Sequence, residues 1–542
     1  MSDNYKSFKE FESIVVLESP NEIDKLFCKF SEIDKEFNDY CPKDYYHVTD
    51  GIYQRVKKLL ELFTYPITVV YDRYYVDKVY RDEYYEYYAR KHIVISRNTK
   101  RLVFLNGIYN KLDLLDSSET ARERIENSII GMIVLKPTKT VGRILIDPRK
   151  IKIPTAYIKT TKFEISILGL LYKIEAFPAS GQDREVMTCA EVNMWQIMEF
   201  FGKKYDHYKT LLPSELLSLT KKNSNVRVLP SEGLTDEQES FLFMRNGFAP
   251  KIYTKLSECE FNNEIRLCEE YGDPDFENIL HLYISSGIPV LLNLISKNDD
   301  SLEGHSITCV GFINNDISKQ RGIIKKSIDK NDDLQYDGLS VIELWKQEFK
   351  YVIMEDHSNP YLILGLDDLS FPELQGDWKI DSFVVPLYKH VFVSAEDACS
   401  IVERIISQTS DRVRETIHEE DLVLNLFLIA SRVYKEYRIS HANNNDEKIF
   451  YSQMNYPKYL WVTEYSTKAF ITKGCALGEY VIDATASKPF ERSDFSAVIS
   501  IRHGADISFR NPYDKTEDVV DPYDIALGND FEIYKDNNSV NS

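Results

Sequence analysis

Residues 181–202 read GQDREVMTCAEVNMWQIMEFFG, and this stretch decides how the rest of the chain is read. Thr188 and Glu191 stand three apart, the spacing of a capping box, in which a hydroxyl and a carboxylate each satisfy a free backbone N–H. A helix therefore begins at Cys189. Val192, Trp195, Met198 and Phe201 recur every three residues, with Met194, Ile197 and Phe200 beside them. Such a helix is apolar nearly all round and is expected to be buried. Gly202 is its expected C-cap. A thiol in the first turn meets unpaired N–H groups and the positive end of the helix dipole. Both favour thiolate, the nucleophilic form. Buried cysteines are common as plain core residues, so the thiol alone decides nothing.

Outward from that stretch, 542 residues suffice for two or three domains. The formal net charge of −20 argues against nucleic acid or an anionic membrane as the main partner. Eight cysteines are scattered, at 28, 41, 189, 259, 268, 309, 399 and 475, with no C-x-x-C pair. That scatter suits a reduced compartment and gives no zinc spacing. The N-terminal MSDNYKSFKEFES lacks an apolar signal core, and no apolar run reaches the ~18–20 residues that span a bilayer. A cytoplasmic protein is expected, with neither metal nor organic cofactor.

Residues 1–155 read as an α/β accessory domain. Strands are expected at 13–17 and from Pro66, then at HIVIS (92–96), RLVFL (101–105), IIGMIVLKP and GRILIDP, with a helix over 51–63. Residues 156–395 carry the chemistry. Strands over 163–178 lead into the cysteine stretch. Helices start near 213, at the T-D-E-Q capping box of Thr235, and at 274, the last two ending at Gly247 and Gly287. IPVLLNLI (288–295) and GHSITCVGF (304–312) read as buried strands. About 35 hydrophilic residues then look like a surface insertion, before KYVIMEDHSNPY (350–361) and SFVVPLY. Residues 396–542 read as an α+β extension. Here Ser394 and Asp397 cap a helix, a second helix is expected over 419–438 and a polar loop over 441–448. Three strands and a frayed acidic tail complete it.

Nucleophilic cysteine catalysis needs a thiolate, a base, a group that orients the base, and an oxyanion donor. Cys189 is the candidate thiolate. His305 opens a buried strand just after Gly304, accessible yet anchored. Asp356 ends the next strand of this part, where its carboxylate can fix the imidazole tautomer. Gln182, seven residues before Cys189, is the candidate oxyanion donor. Each has a plain structural explanation: a histidine at a strand start is usually a surface or satisfied core residue, and Asp356 can simply open a turn. Their order, element types and flanking glycine carry the signal together.

These residues resemble the papain-like cysteine peptidases, most closely the branch that processes bacteriocin leaders and its uncharacterised bacterial relatives. In that family a glutamine precedes the cysteine that opens the central helix. A G-H-x-h-x-h-x-G-[FY] strand, here GHSITCVGF, carries the histidine, and the next strand, here YVIMED, ends in the asparagine or aspartate. The resemblance covers about residues 175–390. It implies an α+β fold, a papain-like core with its central helix packed on an antiparallel sheet. In it Cys189 would be the nucleophile, His305 the base, Asp356 the orienter and Gln182 the oxyanion donor, acting on a protein or peptide substrate. The stretch between His305 and Asp356 is longer than in such relatives, which keeps His357 and Asp316 as lesser candidates. A transglutaminase or acyltransferase using the same triad, a catalytically silent binding module, and a peptidase restrained by its flanking domains or by a regulatory partner acting through them are the alternatives.

Overall fold

A computed structural model describes residues 14–36, 51–182, 188–221, 234–255, 273–297, 304–313, 323–324, 339–367, 369–371, 377–418, 420–487, 497–510, 520–522, 527–534 and 539–540. The chain is α+β, with three large sheets built almost wholly of antiparallel pairs.

The first sheet orders Ile14–Leu17, Ile67–Tyr75, Thr99–Asn106, Ile129–Leu135, Val141–Ile146 and Ala179–Ser180 side by side. Every neighbouring pair is antiparallel, so this unit is α+β rather than the α/β alternation expected of it. Alternation along the strands sends Val69 and Phe104 to one face and Val70 and Val103 to the other. The first face packs on helices Ile23–Glu36 and Gly51–Glu61. The second is covered by helix Glu119–Ser128 and by the hairpin Thr161–Ile167 and Leu170–Ala176. Residues 161–180, expected to belong with the catalytic part, thus lie against the N-terminal sheet. HIVIS does not form a strand. Ile93 and Val94 are exposed, Val94 almost completely, so they have no sheet face to bury.

The second sheet runs Lys251–Thr254, Asp377–Val385, Val290–Ser296, Gly304–Phe312, Lys350–Met354 and Leu362–Gly365. GHSITCVGF and KYVIM are therefore direct neighbours, paired Thr308 to Met354 and Phe312 to Tyr351. The central helix, Cys189–Lys204, packs on this sheet, and every residue from Ala190 to Phe201 is buried. It passes through Gly202 and ends at Tyr205, so Gly202 is no C-cap. A Cβ at 202 would press on the backbone of Lys209 and Thr210, and close packing explains the glycine better than termination does.

The third sheet contains Ser340–Glu343, Leu422–Ala430, Tyr459–Ser466, Gly478–Asp483 and Val498–His503. Ser340–Glu343 closes the stretch expected to be a surface insertion, yet it is largely buried and pairs in parallel with Leu422–Ala430. The helix expected over 419–438 is instead that strand followed by helix Ser431–Ser440. Residues 441–448 are not wholly loop, because Asn444 caps a helix at Asn445–Gln453. The described parts of the tail are paired: Phe531–Glu532 with Cys475–Ala476, and Ser539–Val540 with Ala156–Ile158. One apolar core runs through all three sheets, from Val15 to Val498. Among the described residues no helix is long and apolar enough to cross a membrane.

Candidate active site

Cys189 is the first residue of the central helix and is part-exposed. Both the N–H and the hydroxyl of Thr188 donate to the Glu191 carboxylate, at 2.7 and 2.6 Å, fixing the helix start where the capping pattern put it. His305 lies at the start of its strand, 5 % exposed, close enough to the Cys189 thiol for each to shift the other's protonation. A strut holds the two elements in register. Asn193, one turn into the helix and fully buried, donates to the carbonyls of Cys189 (2.8 Å) and Ser306 (2.7 Å) and accepts from Thr308 Oγ1 (2.8 Å). No motif drew attention to it, since Gln196 and Glu199 interrupt the same apolar run.

His305 Nε2 faces two carboxyl groups, Glu355 Oε1 at 3.3 Å and Asp356 Oδ1 at 3.8 Å. That leaves Nδ1 as the nitrogen for the thiol. Glu355 was not a candidate from sequence, and it stands nearer than Asp356. Both are buried. Two carboxyls this close in a dry site do not both ionise. Burial raises Glu355, but its close polar neighbours His305, Asp356 and Ser358, with the His305 charge, outweigh it and leave the group well below the usual carboxylate range. Burial and the Glu355 charge push Asp356 well above that range. Glu355 is thus the anion and Asp356 carries a proton.

The same logic sets the pair in front of them. Burial pushes the Cys189 thiol up; the nearby His305 and its charge, with the backbone N–H groups of Ser306 and Ala190, overcome this and hold it below its ordinary value. Burial would lower His305, but its contacts with Cys189 and Glu355 and the thiolate charge raise it to about 10. Between these values the two groups stand as thiolate and imidazolium.

Gln182 comes into the same region, but its side-chain nitrogen contacts His357 Nε2 at 2.5 Å. The His357 ring is stacked near His305, 6.4 Å between centroids. Trp378 and Phe371 lie against the other sides of the His305 ring, at 5.8 and 6.1 Å. His357 therefore bridges the oxyanion candidate and the base rather than replacing Asp356. Asp316 lies outside the described residues, as do residues 183–187 between Gln182 and the helix. His305, Glu355 and Asp356 also bring donor atoms within 4.8 Å of one another, the one grouping among the described residues with a spacing that suits a cation.

The N-terminal sheet reaches into the site. Arg55, on helix Gly51–Glu61, donates to the carbonyls of Asp356 (2.7 Å) and Ser358 (2.6 Å). Ala179–Ser180 pairs with Val141–Ile146, which anchors the chain just before Gln182. At Gly181 a Cβ would collide with the Val141 carbonyl and press on Arg55, so only glycine allows this approach.

Neither a scan against protein-family models nor a search of curated proteins returns a match for this chain.

Proposed function

We propose that this chain is a papain-like cysteine peptidase that hydrolyses a peptide or isopeptide bond. The observation that carries the reading is the placement of Cys189 at a helix N-terminus beside His305, the two elements tied by Asn193, with a carboxylate on the far nitrogen of the imidazole. The thiolate sulfur attacks the carbonyl carbon, and the developing oxyanion meets the free N–H groups at the start of the central helix. One hydrogen of the Gln182 amide is taken by His357; the second remains for the oxyanion. The His305 imidazolium gives its proton to the departing amine as the C–N bond breaks, leaving a thioester. Water then attacks the thioester carbon while His305 accepts a proton, the C–S bond breaks, and the acid product leaves with Cys189 again a thiolate. Every proton and electron pair in this cycle is carried by the protein, the peptide and water.

The test is cleavage of a peptide library by the full chain and by Cys189→Ala and His305→Ala. Each variant should lose at least ~10³-fold in kcat/KM, since members of such a pair act as a unit. Near-wild-type turnover by either folded variant would end the reading. Amide product in place of acid, with an added amine, would move the assignment to acyl transfer.

A further inference from the structure

Beside the Cys189–His305 pair runs a polar network that peptide-bond chemistry does not use. The Ser306 hydroxyl, next along from His305, donates to Asn293 Oδ1 at 2.8 Å. The Asn293 amide donates to two carboxylates at once, Asp236 Oδ1 (2.9 Å) and Glu239 Oε2 (2.7 Å). Both acids belong to the first turn of helix Asp236–Arg245. Within the sheet Asn293 stands opposite Ser306 on one side and Ser382 on the other, so the three side chains share a face. Cys189, Asn293 and Asp236 are part-exposed. Asn293 and Asp236 are thus the accessible rim of a network whose other members, Ser306, Glu239 and Ser382, are buried.

Two features mark it as unfinished. Glu239 and Ser382 are fully buried, yet Glu239 Oε1 and Ser382 Oγ have no hydrogen-bond partner among the described residues. Neither Asp236 nor Glu239 pairs with a lysine or arginine among them. Buried acceptors of this kind are costly unless something arrives to satisfy them. Burial pushes Glu239 well up despite the Asn293 hydrogen bond, with the charges of Asp236 and Cys189 adding to the rise. A cation would relieve the same burden by bringing charge and donors together. A guanidinium fits best. Its planar fork offers five N–H donors, enough for Asp236, the free Glu239 oxygen and the Ser382 hydroxyl.

We propose that Asp236, Glu239, Asn293 and Ser382 form a subsite for a cationic side chain of the peptide held at Cys189, with arginine preferred to lysine. The proposal rests on the peptidase reading, so its experiment must separate the two. Peptidyl acyloxymethyl ketones are made in matched sets that carry arginine, its neutral isostere citrulline, lysine, leucine or glutamate at each of the two positions nearest the reactive carbonyl. Labelling of Cys189 in the full chain is followed by mass spectrometry. Iodoacetamide, with no side chain to recognise, gives the reference rate in wild type and in His305→Ala.

At one position the arginine probe should label at least about tenfold faster than its citrulline twin, the ratio that ~1.4 kcal/mol sets. Lysine should fall between, and glutamate should be slowest. The arginine-to-citrulline ratio should drop toward one in Asp236→Asn and in Glu239→Gln, and should shrink at high salt. The ratio is internal to each sample, so partial unfolding of a variant lowers both rates without moving it. Equal arginine and citrulline rates in wild type would overturn the subsite, and so would a ratio unchanged in both variants. Iodoacetamide alkylation that does not depend on His305 would overturn the peptidase reading itself, and this proposal with it.

Discussion

His305 Nε2 has two carboxyl groups competing for it, and the 3.3 Å contact to Glu355 beats the 3.8 Å contact to Asp356. Sequence reading favoured Asp356 because it was expected to end the strand after the histidine's, where the resemblance places an asparagine or aspartate. The strand ends at Met354, however, and the bend over 356–358 turns both acids toward the ring. Glu355→Gln should therefore cost more in kcat/KM than Asp356→Asn, roughly 10²-fold against a few-fold, since an orienting partner is replaced in one and a protonated neighbour in the other. The reverse order, measured on folded protein, would restore Asp356 to the third position. A pH profile reads the same arrangement. The lowered thiol keeps Cys189 as thiolate while pH falls below the ordinary thiol range, and the imidazolium persists as pH rises until about 10. Hydrolysis should hold across that interval, its acid limb set by Cys189 and its alkaline limb by His305. Glu355→Gln removes an anion that favours the charged imidazole, so the alkaline limb should move down in pH. An unmoved limb would mean Glu355 does not hold the proton on His305.

The central helix and its two partner strands show which elements a sequence discloses. T-x-x-E placed the helix start at the correct residue because a cap is a local hydrogen-bond pattern written in four residues. GHSITCVGF and YVIMED were legible because strands buried on both faces read as apolar runs. Two failures have equally physical causes. Leu422–Ala430 runs directly into helix Ser431–Ser440 with no glycine or proline between, so the apolar strand was absorbed into the helical pattern after it. HIVIS has strand-type residues, but Ile93 and Val94 stay exposed with no sheet face to bury, and tertiary context overrode propensity. The Asn193 strut was invisible because its partners, the carbonyl of Ser306 and the hydroxyl of Thr308, lie more than a hundred residues away in the chain. Its prediction belongs to the element it ties down. Asn193→Leu leaves two buried carbonyls short of a donor, which should destabilise the chain by about 1–3 kcal/mol. Helix and His strand should also lose register, so iodoacetamide alkylation of Cys189 should slow even at temperatures where the variant is fully folded. Unfolding in denaturant measures the first effect and the alkylation rate the second; wild-type values in both would make the strut incidental.

Across the molecule, the N-terminal sheet is tied to the candidate site at several points, and this bears on whether the flanks restrain that site or complete it. Lys78 pairs with Glu199 of the central helix at 3.0 Å, Asp82 takes both hydrogen bonds of Ser214, and the Tyr361 hydroxyl donates to the Ile146 carbonyl. Restraint would need an interface able to part, with few buried contacts crossing it. Here the first sheet holds the strand before Gln182, and Arg55 holds the bend that carries Glu355 and Asp356. No linear motif announces Arg55, because its value lies in two carbonyls about three hundred residues away. The expected outcome of removing residues 1–155 is therefore loss of folding or of Cys189 reactivity, not a gain. Arg55→Ala is the finer test, since it removes two charge-assisted hydrogen bonds from a bend without deleting a domain. Small displacements of catalytic groups cost up to ~10²-fold in rate, and a loss between tenfold and that limit is expected here. If the guanidinium acts by holding the bend, added guanidinium ion at concentrations well below those that unfold the chain should restore part of the lost rate in Arg55→Ala and none in Cys189→Ala. Faster labelling of Cys189 in the truncated chain or in Arg55→Ala would instead show that the N-terminal unit holds the site back.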